Sequence, residues 1–121
     1  MNIKKVNLHS KLQTFNDYWS PKIIGELNNQ HVKIAKFKGE FVMHKHDAED
    51  ELFYVIDGTL HIELTDKTLV LNSGEFVIIP KAIEHKSYAP KEVSVLLFEP
   101  SSTLNTGNVE NDYTVQDLNK I

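Results

Sequence analysis

The chain has no cysteine in its 121 residues, which excludes disulfides, thiolate zinc fingers, iron–sulfur clusters and cysteine nucleophiles. It also lacks basic excess. Lys and Arg number 13 against 17 Asp and Glu, for a formal net charge of −4, and no stripe of positive side chains is present to neutralise phosphates. A nucleic-acid partner is therefore not expected. No apolar run reaches the length of a membrane-spanning helix, and Met1-Asn2-Ile3-Lys4-Lys5-Val6-Asn7 is not followed by an apolar core of signal-peptide length. A cytoplasmic protein with no membrane partner is the expectation. Gly25, Gly39, Gly58, Gly74 and Gly107 stand apart from one another, so no phosphate-binding loop or dinucleotide fingerprint exists.

What is present is mostly strand pattern. Leu8, Leu12, Phe15 and Trp19 recur at helical steps, with Asn7 or Ser10 as N-cap and Pro21 as a stop, which predicts a helical segment within 7–19. Its apolar stripe is expected to pack on the body of the fold or on a partner subunit. After Pro21, short runs predict strands at 22–27, 31–38, 40–46, 51–56, 59–64, 68–71, 75–79, 85–88 and 93–98. Asn28-Asn29-Gln30, Lys38-Gly39, Asp57-Gly58, Asp66-Lys67, Asn72-Ser73-Gly74, Pro80 and Ala89-Pro90 punctuate them. This rhythm predicts an all-β, antiparallel closed or sandwiched sheet. The expected organisation is a single domain, 1–121, with its core at roughly 22–100 and a tail at 101–121. In the tail, Thr114-Val115-Gln116-Asp117 has the form of a helix start, so a short C-terminal helix is expected.

Strand parity directs attention to one cluster. Residues two apart on a strand share a face at about 6.6 Å, so His44 and His46 can converge on one ion. Glu51 follows His46 after four intervening residues, and His85 lies on a later segment. Neutral imidazoles with a carboxylate suit iron, nickel, copper, zinc or manganese. Asp47, Glu49 and Asp50 are near enough in sequence to support the imidazoles. His9, His31 and His61 lack ligand-type neighbours at strand spacing and are read as incidental. Glu51, Phe53 and Val55 share one face of their strand and Leu52, Tyr54 and Ile56 the other, so both faces are apolar and the outer one needs a cover.

In Gly39, His44, His46, Glu51 and Gly58, and then in Gly74, Pro80 and His85, the sequence resembles the cupin family. Only four residues separate Gly39 from His44 where the family has five; Ala82 and Ala89 replace a motif glycine and asparagine. The resemblance implies a jelly-roll (double-stranded β-helix) barrel holding one divalent ion between His44, His46, Glu51 and His85. Phe37, Phe53, Val55, Tyr88 and Phe98 are candidates for a pocket wall. Three functions fit: a metal-dependent enzyme on a small oxygen-bearing molecule, oxygenase-like or sugar-isomerase-like; a non-catalytic small-molecule binding or sensing module; or a structural barrel with a vestigial site. A homodimer is expected, because the outer face of the 51–56 strand needs a cover.

Overall fold

Alternating apolar residues and turn chemistry produce seven antiparallel strands in the computed structural model, which describes residues 2–121. They are preceded by one short helix, α1 (Leu8–Leu12), whose N-cap Asn7 accepts a hydrogen bond from the Ser10 backbone at 2.9 Å. The strands are β1 (Lys22–Leu27), β2 (Gln30–Glu40), β3 (Glu51–Asp57), β4 (Thr59–Glu63), β5 (Thr68–Asn72), β6 (Phe76–Ile79) and β7 (Lys86–Pro100). The main path runs β1-β2-β7-β3-β6, with β4 pairing both β7 and β5. The sheet wraps as a jelly roll without closing, because β5 and β6 each keep a free edge and β1 is met on its outer side only by the end of the tail, at Ile23 and Lys120.

Strand β7 is the spine. Its first residues pair with β4, and its second half lies between β2 and β3. Pro90 does not end it, contrary to the expectation of two strands. Ala89 pairs with Gly39 and Val93 with Phe37, so Pro90, Lys91 and Glu92 bulge outward. A bulge is one of the few places where a sheet accepts a residue with no N–H to donate. The β1–β2 turn is as the asparagines predict, with Asn28 at φ 48° and Asn29 at φ 62°.

Inward rows form the core: Ala35 and Phe37 from β2, Phe53 and Val55 from β3, Leu60 and Ile62 from β4, and Val93, Val95 and Leu97 from β7. The opposite face of β3, β6 and β7 is also apolar. Phe76 and Ile78 there are 61% and 53% exposed, and the helix does not cover them.

Three expectations need correction. Residues 41–50 form no strand; a single isolated bridge, His44 with His85, stands in their place. The helix stops at Leu12, so Phe15 and Trp19 fall outside it. The C-terminal helix does not form, because the Thr114 hydroxyl partners Thr106 and the Asn111 backbone instead of capping a turn beyond it. The tail runs as turns that pack on the loop of His44 and His46.

Candidate metal centre

Each predicted ligand is placed by a different local device. His44 and His85 exchange backbone hydrogen bonds of 3.0 and 2.8 Å, which locks the loop to the start of β7. The His46 carbonyl accepts from the Ala82 N–H at 2.7 Å. Glu51 opens β3 and faces inward with Phe53 and Val55, as parity requires. All four side chains are buried, and their candidate donor atoms lie within 4.8 Å of one another.

The hydrogen bonds prepare the imidazoles for a cation. Nδ1 of His44 lies 2.9 Å from the Val42 carbonyl, and Nδ1 of His85 lies 3.0 Å from that of Ile83. A carbonyl can only accept, so Nδ1 of each carries a proton, which leaves Nε2 as the atom to take a cation; on His85 that Nε2 faces the Glu51 carboxylate at 3.2 Å and must first be free of its proton. Nδ1 of His46 has no hydrogen-bond partner, and its Nε2 meets only the Glu51 carboxylate, 3.3 Å away, an arrangement costly in a protein interior that a bound cation would relieve. The expected acidic supports serve elsewhere: Asp50 accepts from the Lys81 N–H, Glu49 from the Ser102 hydroxyl, and Asp47 pairs with Lys45. Backbone carbonyls orient the rings in their place.

Electrostatics follow from this packing. Burial, and then the neighbouring His85, push His44 down to about 4. Burial also acts to lower His85, but the hydrogen bond and charge of Glu51, 3.2 Å away, outweigh it and raise the imidazole. Glu51 itself is held below the usual carboxylate range; burial pushes it up, and hydrogen bonds with His46 and His85 more than offset that. Three imidazoles and one carboxylate in a buried pocket are a fitting donor set for one divalent transition ion.

Beside the donors lies a cavity of about 20 Å³, bounded by His44, Glu51, Phe37, Phe53, Trp19 and Glu99 among others. That is room for about one water-sized molecule. Of the expected wall residues, Phe37 and Phe53 line it. Val55 sits deeper in the core, whereas Tyr88 and Phe98 lie on the other face of β7, where Tyr88 packs on the half-buried His61 at 5.2 Å between ring centroids. Tyr88 precedes the Pro90 bulge and Phe98 has opposite parity to Val93, Val95 and Leu97, so neither can reach the cavity.

Sequence reasoning missed Trp19, Phe41 and Glu99, and with them Pro21, Ser87, Leu97 and Asn105, as members of the wall. Trp19 was expected to be packing on a helix; its backbone instead adopts φ 60°, unusual for a bulky residue. Hydrogen bonds from its N–H to Lys36 and from its indole to Lys38 hold it there, stacked 4.3 Å from Phe37 and 4.8 Å from Phe41. Phe41 lies in the loop that was expected to be a strand. Glu99, the third, is buried with Lys33 at 3.0 Å. Burial and the facing Glu51 raise its carboxyl well above the ordinary value. Parity could have found it, since Glu99 continues the inward row of Val93, Val95 and Leu97.

A profile of the family described as "Cupin domain" matches residues 30–99, more than half of the chain and inclusive of all four donors. The chain belongs to the cupin family. It is 42% identical to a cupin-2 domain protein of Shewanella frigidimarina of known crystal structure, with a TM-score of 0.78 over 78% of this chain and 93% of that one. Over 65 residues it is 42% identical to the uncharacterized protein YdbB of Bacillus subtilis, a match that spans 58% of that protein. It shares its fold with hydroquinone 1,2-dioxygenase of Sphingomonas at 18% identity and a TM-score of 0.71, covering 82% of this cupin and 33% of the enzyme. Among the described residues, no helix is long and apolar enough to cross a membrane.

Proposed function

We propose that this cupin is a metal-dependent enzyme, oxygenase-like, acting on a small oxygen-bearing molecule at an ion held by His44, His46, Glu51 and His85. The observation that carries the reading is the buried four-donor cluster opening onto a cavity with free space. A structural ion would need no such chamber. The dioxygenase of the same fold shows that this framework accommodates oxygen chemistry, although fold does not select a reaction.

His44 and His85 would hold the ion through Nε2, His46 through a ring nitrogen and Glu51 through a carboxylate oxygen. A divalent ion there would supply Lewis-acid polarisation and, with iron or manganese, one-electron chemistry. The chain's own residues do the rest. Phe37, Phe53, Trp19 and Phe41 exclude bulk water, which strengthens every polar contact inside. Such a narrow aromatic wall favours dioxygen and a ligand of few atoms over a sugar, whose hydroxyls would each require a partner. That is why the isomerase-like option is set second.

Elemental analysis of protein purified without chelators tests the site. Stoichiometric metal is expected in the parent and in His61→Ala, and its loss in His46→Ala and His85→Ala; equal metal in all of them would sink the assignment. Oxygen uptake by iron- or manganese-loaded protein with the smallest hydroxy acids then tests turnover. Ligand binding without uptake would make the protein a binding or sensing module. The protein is further proposed to act as a homodimer through its uncovered outer sheet face.

A further inference from the structure

Along the β3–β7 pair, Leu52 faces Phe98 and Phe53 faces Leu97. Continued by one residue, that register sets Glu51 opposite Glu99. Both side chains are buried, at 4% and 2% exposed, and both line the cavity beside the donor cluster. Carboxylates facing each other across a sheet repel. Each therefore has its own counter-group: imidazoles for Glu51, and for Glu99 the Lys33 ammonium, 3.0 Å from Oε1.

Glu99 retains one unused atom. Its Oε2 is buried and has no hydrogen-bond partner, although buried polar atoms are nearly always paired. The fold does not call for a carboxylate here, since the same inward row is otherwise Val93, Val95 and Leu97. Replacing a buried ion pair by apolar side chains is often neutral or stabilising. Glu99 thus borders the cavity while Lys33, 1% exposed, holds it from behind.

We propose that Glu99, anchored by Lys33, is a ligand-binding residue whose Oε2 hydrogen-bonds the hydroxyl group of a small hydroxy acid, the carboxylate of which binds at the ion. This deepens the metal-enzyme reading and rests on it. A hydroxyl group fits because it both donates and accepts, and so pairs with either a carboxylate or a carboxylic acid. A carboxylate fits the other end because Glu51 is the sole anionic donor among the four, which leaves a divalent ion with net positive charge. The cavity of about 20 Å³ takes about one water-sized group, so it admits the hydroxyl end of the smallest hydroxy acid, the carboxylate end lying at the ion.

The test compares glycolate with acetate, which differ by the hydroxyl, through the visible spectrum of cobalt-loaded protein. Any chelation of the ion by the hydroxyl is common to all variants, so the change in the glycolate-to-acetate affinity ratio isolates Glu99. In Lys33→Met/Glu99→Leu, which leaves no buried charge unpaired, the ratio should fall about tenfold with cobalt content unchanged. Glu99→Gln, which keeps a group able to donate to the hydroxyl, should retain most of the preference. An equal ratio in parent and double variant overturns the proposal and leaves the metal site standing. Loss of cobalt in the double variant also overturns it, because Glu99 would then serve Glu51 rather than a ligand. If the parent takes up no cobalt, or its spectrum answers to neither anion, the proposed function falls and this inference with it.

Discussion

Ala82 adopts φ 68°, in the left-handed region, at the position where the cupin motif has glycine. A side chain there costs about 1–2 kcal/mol, and glycine's extra freedom in the unfolded chain offsets about 0.5–1 of that. Ala82→Gly should therefore stabilise the protein by roughly 0.5–1 kcal/mol, read as a higher urea midpoint with an unchanged m-value. The imidazoles make the site pH-dependent in a definite direction. His85 is raised by Glu51 and must lose its proton before it can bind a metal, so below its folded pKa metal affinity should fall about tenfold per pH unit. A competition titration with a chromogenic chelator between pH 5 and 8 measures this, and a flat profile would contradict it. For the metal-free fold the two histidines oppose each other. His44, lowered from 6.5 to about 4, contributes stability that is complete above pH 6.5 and lost as the pH falls toward 4. His85, raised, contributes stability present below pH 6.5 and lost as the pH rises through its folded value.

At the scale of elements, the tail and the loop of the donors behave as one unit. Gly107, at φ 58°, lies so close to the loop that an added Cβ would stand 2.2 Å from the Lys45 carbonyl oxygen and 2.9 Å from His44 Cδ2. Asn108 ties the same loop down, its N–H donating to the Lys45 carbonyl at 3.0 Å and its side chain accepting from the Lys45 N–H at 2.9 Å. Gly107→Ala must push the strap off His44. The expected result is a loss of about 2 kcal/mol or more of stability together with weaker metal binding, followed by thermal unfolding with and without metal. Unchanged metal affinity would show that the strap is mere cover. Tyr113, farther along the tail, packs 5.3 Å from Phe41 and 6.4 Å from Trp19, so the tail also backs the aromatic wall.

At the scale of the molecule, Phe76 and Ile78 of β6 adjoin Tyr54 and Leu52 of β3, which adjoin Leu96 and Phe98 of β7. This continuous apolar face is larger than scattered surface apolar residues would make it, and a second copy is the cover we propose. Light scattering should give twice the chain mass, and Phe76→Lys/Ile78→Lys should give the monomer with the metal site intact. A parent monomer mass independent of concentration would count against the dimer.

The strands, most of their limits and the four donors were legible in the sequence, because a period of two and a fixed spacing of ligand-type residues are local properties. His44, His46, Glu51 and His85 were named without coordinates for that reason. The pocket wall was not legible. Phe98 and Tyr88 were expected there: parity along the strand alone distinguishes Phe98 from the inward Glu99, whereas the places of Tyr88 and Trp19 depend on the Pro90 detour and on the register of β2 against β7. The absent C-terminal helix has the same origin: Thr114 had a better partner in Thr106, eight residues away. Side-chain chemistry and spacing thus determined which residues can hold an ion. Only the tertiary structure decided what surrounds it, since a cavity wall is assembled from strands and loops far apart in the chain.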